Sequence, residues 1–226
     1  MKTSIIPDLV IFDLDNTLYD YERCHSSAML ELSKMFKMII PSRDFSFEKA
    51  YLDARREVKL RIEGPSSHSR MLYFNEILAN LSLRLDRKLI LDMVSLYWST
   101  FFKFLKPAAG LEDFLRRIRL GGSKIAVVTN FTTEIQYQKL FVLNLLELFD
   151  VVVTSEEAGG EKDSFRPFNL MMKRLGMTET NSTWFFGDEI HDFPLSFPAE
   201  SIRFFGSPFM KRPLKNVKKV ASYESL

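Results

Sequence analysis

The stretch Val10–Asp20, VIFDLDNTLYD, decides how this chain is read. A short apolar run, Leu9 to Phe12, ends in two aspartates one residue apart, Asp13 and Asp15. A carboxylate at the end of a buried strand is costly to desolvate, and an unpaired one takes up a proton or meets a cation. Two in this spacing point to a cation or to chemistry at that strand end.

Similar runs recur at 124–130 (KIAVVTN), 151–154 (VVVT), 184–188 (WFFGD) and 202–205 (IRFF). They are continuously apolar where a strand with one wet face would alternate, so they predict buried parallel strands. Helix-period segments lie between them: 111–120 ending at Gly121 and Gly122, 133–148, and 168–176 ending at Gly176. Strand followed by helix, repeated, predicts an α/β fold with a doubly wound, Rossmann-like parallel sheet. The interval 20–105 breaks this rhythm. It offers no convincing strand and predicts helices near 21–36, 47–62, 71–81 and 86–104, with Tyr51, Leu52 and Val58, and Leu72, Phe74, Leu78 and Leu81, as core stripes. It reads as an inserted helical domain, leaving 1–19 and 106–226 to form the α/β domain.

Composition narrows the function classes. The 226 residues are 46% hydrophobic, enough for a sizeable core, and 31 basic against 29 acidic residues give a net charge of +2. Such balance argues against nucleic-acid or membrane binding by the whole molecule. The basic run 210–220 predicts a solvated face or a frayed end. Pro7 and Asp8 interrupt the apolar N-terminus, so no export signal is expected, and no apolar stretch approaches the roughly 18 residues of a membrane span. The single cysteine, Cys24, suits a reducing compartment, with the cytoplasm as the default.

In a doubly wound sheet the ligand crevice lies at the carboxyl ends of the strands. There the chain places Asp13 and Asp15 after the first strand, Thr129 and Asn130 after the second, Lys162 in a loop after the third, and Asp188 and Asp192 after the fourth. Several hard oxygen donors at one point suit Mg²⁺. With repulsion lowered by a metal, one aspartate can attack phosphorus while a second protonates the leaving oxygen and then activates water. Lysine and threonine complete a phosphate cradle.

DLDNT, then a strand ending in TN, a downstream lysine and GDEIHD resemble, in content and order, the motifs of the haloacid dehalogenase-like hydrolase superfamily. The helical insertion resembles the cap that one branch carries between the first two motifs. The resemblance implies that Asp13 is a nucleophile forming an aspartyl-phosphate and that Asp15 is the general acid/base. It implies Mg²⁺ held by Asp13, the main-chain carbonyl of Asp15 and Asp188. Thr129 and Asn130 would hold phosphoryl oxygens, Lys162 would neutralise charge, and Asp192 would orient the lysine or a metal-bound water. An aspartate at position 15 favours phosphate esters over carbon–halogen substrates, because a halide leaving group needs no proton.

The implied activity is hydrolysis of a small phosphorylated metabolite: a sugar phosphate, a sugar-acid phosphate or a nucleotide. The implied protein is a monomer or homodimer. A phosphomutase and a catalytically silent binding protein are the alternatives. Asp163 follows the lysine where relatives usually have proline, and Pro194 and Pro198 follow Asp192, predicting a loop there. His191 reads as an exposed loop residue. In the cap, Ser67, His68 and Arg70 at a loop-to-helix junction offer donors for substrate, alongside a plain capping role.

Overall fold

The computed structural model describes residues 6–41, 45–82, 87–178, 181–194, 202–215 and 217–226. Asp86 and Pro198 lie outside the described residues. The chain divides into two compact units, one made of Met1–Asp20 and Lys106–Leu226, the other of Tyr21–Leu105.

The first unit is built on a six-stranded parallel sheet of β1 (Leu9–Phe12), β2 (Lys124–Thr129), β3 (Val151–Thr154), β4 (Thr183–Gly187), β5 (Ile202–Gly206) and β6 (Lys218–Lys219). Their order is β3-β2-β1-β4-β5-β6. The chain winds outward from β1 through β2 to β3, then returns to the other side of β1 as β4, so the topological switch lies between β1 and β4. Register aligns the strand ends. Phe12 pairs with Val127 and Phe186, and Thr129 pairs with Thr154, so residues just past β1, β2 and β4 emerge on one edge of the sheet.

Helices cover both faces, which is why β1 is buried throughout and reads as an unbroken apolar run. On one face Leu9, Ile11, Ala126, Val128, Val153 and Phe185 pack with Phe168 and Met171 of α8 (Arg166–Leu175). On the other, Phe12 stacks on Phe186 and meets Phe114 of α5 (Leu111–Leu120) and Tyr223. Tyr223 is fully buried and donates to the Thr17 carbonyl at 3.1 Å.

The basic tail is a solvated face, as expected, but not a frayed end. Lys218 and Lys219 keep exposed side chains, but their backbone extends the sheet beside β5, while Met210 and Val220 are buried. A short helix, α7 (Ser155–Ala158), also goes beyond the sequence reading. The expected helix 133–148 ends early, as α6 (Thr133–Val142) followed by a 3₁₀ turn Leu146–Leu148.

The second unit contains α1 (Tyr21–Ile39), α2 (Phe47–Arg61), α3 (Arg70–Asn80) and α4 (Arg87–Phe104). Cys24, Ala28, Leu32 and Phe36 form the buried stripe of α1, spaced by one helical turn. Ser46 and Ser69 cap α2 and α3 by accepting from the Lys49 and Leu72 amides. Leu52 is exposed, contrary to its expected place in the core. The stripe of α2 runs through Phe47, Tyr51, Ala54 and Val58, and a residue one step from Tyr51 is turned about 100° away. No helix among the described residues is long and apolar enough to cross a membrane.

Candidate active site

The carboxyl ends of β1, β2 and β4 hold the chemistry. Asp13 directly follows β1, where its amide donates to the Phe186 carbonyl at 2.8 Å and ties it to the end of β4. Its side chain is 7% exposed. Lys162 Nζ donates to Asp13 Oδ1, and Thr17 Oγ1 donates to Asp13 Oδ2 at 3.0 Å, so both oxygens are engaged and the carboxylate cannot rotate freely.

Lys162 opens a 3₁₀ turn, Lys162–Ser164, and its amide donates to the side-chain carbonyl of Asn130 at 3.0 Å. Its ammonium is buried between two carboxylates, reaching Asp192 Oδ1 at 2.5 Å as well as Asp13. The other oxygen of Asp192 accepts from the amides of Asp188 and Glu189 at 2.9 and 2.8 Å. Asp192 thus fixes Lys162 with one oxygen and the loop carrying Asp188 with the other. Gly187 makes this approach possible: a Cβ there would lie 2.4 Å from the Asp192 Cβ. Asp163, beside the lysine, points outward with His191 3.8 Å away, both well exposed.

Asp13, Asp188 and Asp192 each offer a carboxylate oxygen within 4.8 Å of the others. Burial and then the charge of Asp192 push the Asp13 carboxyl up to about 7, against the opposing pull of Lys162. Burial, then Asp13 and Asp192, push Asp188 up to about 9. Burial opposes the Lys162 charge, but Asp13 and Asp192 outweigh it and hold the ammonium well above its usual range. One buried ammonium does not neutralise three converging carboxylates, and a hard cation suits such an oxygen donor set. The Asp15 carboxylate is not part of this cluster.

Asp15 occupies a different environment, less buried than Asp13, with its oxygens 2.7 and 2.9 Å from Lys139 Nζ and Oδ1 also accepting from the Tyr19 hydroxyl. Thr129 ends β2, and its hydroxyl accepts from Gln136 Nε2 at 2.6 Å, which also donates to the Asn130 carbonyl at 3.0 Å. The sequence reading passed over Gln136, Lys139 and Tyr19. Gln136 and Lys139 lie one turn apart on the buried face of α6 beside Leu140. Polar residues on a stripe where the helical period calls for apolar ones were the available signal.

His68 and Arg70 belong to the helical unit. Arg70 is buried there, donating to the His68 carbonyl at 2.8 Å and the Tyr21 hydroxyl at 2.6 Å, with its guanidinium 5.0 Å from the Tyr97 ring. His25 shares a 2.9 Å hydrogen bond with the Tyr97 hydroxyl.

The sequence model of the family described as haloacid dehalogenase-like hydrolase matches residues 10–199, which contain every site residue named above. The chain belongs to this family. Among curated relatives, ribulose-1,5-bisphosphate 5-phosphatase of Halopiger xanaduensis is 36% identical over 171 residues, covering 74% of this chain and 70% of its own. Glyceraldehyde 3-phosphate phosphatase of Methanopyrus kandleri is 31% identical over 168 residues, with the same two coverages, 74% and 70%. Family and relatives together make this haloacid dehalogenase-like protein a hydrolase of the phosphatase kind. The solved structure of the hydrolase YfnB from Bacillus subtilis shares the fold, with a TM-score of 0.69, 18% identity, and 97% of this chain and 96% of that one covered.

Proposed function

We propose that the protein is a Mg²⁺-dependent phosphomonoesterase that hydrolyses a small sugar phosphate through a phosphoryl group carried on Asp13. The observation that supports this most is the unlike setting of the two aspartates after β1. Asp13 is buried and clamped between Lys162 and Thr17, which fixes it for in-line attack; Asp15 is more open, which gives a leaving oxygen and water access to it, and a different lysine holds its orientation. Sugar phosphates are favoured because the relatives named above act on them.

In this reading an Asp13 oxygen attacks phosphorus in line, and the ester bond breaks as Asp15 hands its proton to the leaving oxygen. Water then attacks the phosphoryl group, giving its proton to Asp15 and freeing Asp13. Thr129 accepts from the Gln136 amide and donates to the Asn130 carbonyl at 3.3 Å, and its hydroxyl would turn that proton to a phosphoryl oxygen when one arrives. Asn130 fixes the start of the Lys162 turn, and Lys162 offsets charge on Asp13 as the phosphoryl group arrives. Asp13, Asp188 and the carbonyl of Asp15 would hold Mg²⁺, with Asp192 beside them. The ion supplies positive charge to the carboxylates and the phosphoryl oxygens.

The helical unit is taken as the cap, and Arg70 acts there indirectly, by holding the Pro65–His68 turn that presents His68. The protein is placed in the cytoplasm. Phosphate release from a panel of phosphorylated metabolites, with and without Mg²⁺, tests the reading. Metal-dependent release that Asp13→Asn abolishes is the expected result. Full release without added or bound metal, or by Asp13→Asn, overturns it.

A further inference from the structure

We propose that Lys139 is a positioning residue that holds Asp15 in the orientation needed for proton transfer, with Asp15 Oδ2 as the oxygen that carries the proton. This rests on the reading of Asp15 as the general acid/base.

Lys139 is 1% exposed, on a helix whose other inward residues include the fully buried Gln136 and Leu140. An ammonium is taken out of water at a cost of several kcal/mol unless it meets a counter-charge and further donors or acceptors. Here it meets both oxygens of Asp15, and the rings of Phe131 and Tyr19 lie 5.2 and 5.9 Å from it. The aromatic contacts favour a cation at this point. The carboxylate this buried ammonium meets is Asp15. A lysine placed only to fill the interior of α6 has no need to cross to a residue 124 positions away at the mouth of the sheet.

The two oxygens of Asp15 are not equivalent. Among the described residues Oδ1 receives both Lys139 and the Tyr19 hydroxyl, whereas Oδ2 receives Lys139. A carboxylate oxygen has two lone-pair positions, so the named donors fill Oδ1 and leave one position at Oδ2. In the first step a bond forms between an Asp13 oxygen and phosphorus. The ester P–O bond breaks with its electron pair going to the leaving oxygen, which takes the proton from Oδ2. Asp15 is then the carboxylate seen against Lys139, with its free position ready to take a proton from water. In the second step the water oxygen bonds to phosphorus, the bond between phosphorus and Asp13 breaks, and the water proton goes to Oδ2.

Leaving groups separate this role from plain support of the fold. The test is kcat/KM of the full chain with Mg²⁺ on two probes, glyceraldehyde 3-phosphate and p-nitrophenyl phosphate, because kcat/KM reports only through formation of the phosphorylated enzyme. The first probe leaves as an alkoxide that needs a proton; the second leaves as a stable phenolate that does not. General acid catalysis contributes about 10²–10⁴-fold, so Lys139→Met is expected to lower kcat/KM for glyceraldehyde 3-phosphate by about 30- to 100-fold, and for p-nitrophenyl phosphate by less than about threefold. Lys139→Arg, which keeps a charged fork for the carboxylate, should recover most of the loss. Tyr19→Phe removes one hydroxyl and serves where Lys139→Met does not fold; its loss should be smaller but equally selective.

Equal losses on both probes, or none on either, in a protein whose activity still depends on Asp13, overturn the role of Lys139 and leave the phosphatase reading standing. A folded wild type that releases phosphate from neither probe overturns that reading and the role of Lys139 with it.

Discussion

Replacing Asp188 by asparagine should stabilise the metal-free protein while removing its activity. The Asp188 carboxyl is pushed up to about 9 by burial and by Asp13 and Asp192, from 3.8 in the unfolded chain. A carboxyl whose folded pKa is raised contributes its stability below the unfolded value. That stability is lost as pH rises from 3.8 toward about 9, because the fold retains a proton that the unfolded chain releases. Asparagine has no proton to lose. The repulsion that keeps this proton in place, between unit charges at most 4.8 Å apart, is about 3.5 kcal/mol at an effective dielectric constant of about 20, and it sets the scale of what the fold loses by holding a proton that the unfolded chain has released. Allowing for desolvation of the amide, the net gain is about 2 kcal/mol at pH 8.5, or about 4–8 °C in Tm for a chain of this size. Thermal melts in EDTA at pH 5 and pH 8.5 measure it, with a clear gain at the higher pH and little at the lower. Mg²⁺ at about 100 times its Kd should stabilise the wild type by about 2.7 kcal/mol and the variant by much less. A variant no more stable than wild type at pH 8.5 in EDTA, or one equally stabilised at both pH values, refutes the repulsion argument.

Three further predictions concern other parts of the molecule. Gly187→Ala would place a Cβ 2.4 Å from that of Asp192 and displace the residue that fixes both Lys162 and the Asp188 loop; melts and kinetics should show about 1–3 kcal/mol of lost stability and a loss in kcat/KM of at least about 10²-fold. Lys162→Met leaves Asp13 and Asp192 buried without their shared cation, so it should cost about 3–5 kcal/mol in EDTA at pH 8, measured by urea unfolding, and less on acidification below about pH 7 as the Asp13 carboxyl protonates. The His25 imidazole is pushed down to about 4 by burial and then by Arg70 and Arg55, from 6.5. Its contribution is therefore present above pH 6.5 and lost as pH falls toward 4, by about 2–3 kcal/mol, and His25→Gln should flatten that limb of the stability curve relative to wild type.

The sheet was legible because parallel strands covered on both faces leave unbroken apolar runs, and the site because those runs end in Asp13, Thr129 and Asp188. Burial converts such a polar ending into a signal, since nothing else in a core strand tolerates it. The layer behind the site was harder to read. Gln136 and Lys139 lie in a helix, where a polar residue is ordinarily on the solvent side, and only the turn of α6 shows that they face inward. Asp192 was legible as a candidate, but its contact with Lys162, 30 positions earlier, depends on the missing side chain of Gly187 and on a turn that two residues of sequence do not specify. The ordered backbone of the tail was hidden for a related reason. Its lysines are exposed, as their charge requires, while the backbone between them makes hydrogen bonds to β5, and side-chain polarity carries no record of backbone pairing.

The central claim is that a phosphoryl group passes through Asp13, and borohydride trapping during turnover tests it most directly. Hydride reduces an acyl phosphate to an alcohol, so quenching the wild type with borohydride while it hydrolyses glyceraldehyde 3-phosphate in Mg²⁺ should convert Asp13 to homoserine, visible by mass spectrometry in the peptide containing VIFDLDNTLYD. The modification should require substrate and be absent from Asp13→Asn. Turnover with no reduced residue, or with the modification on Asp15 or another carboxylate, would contradict the account.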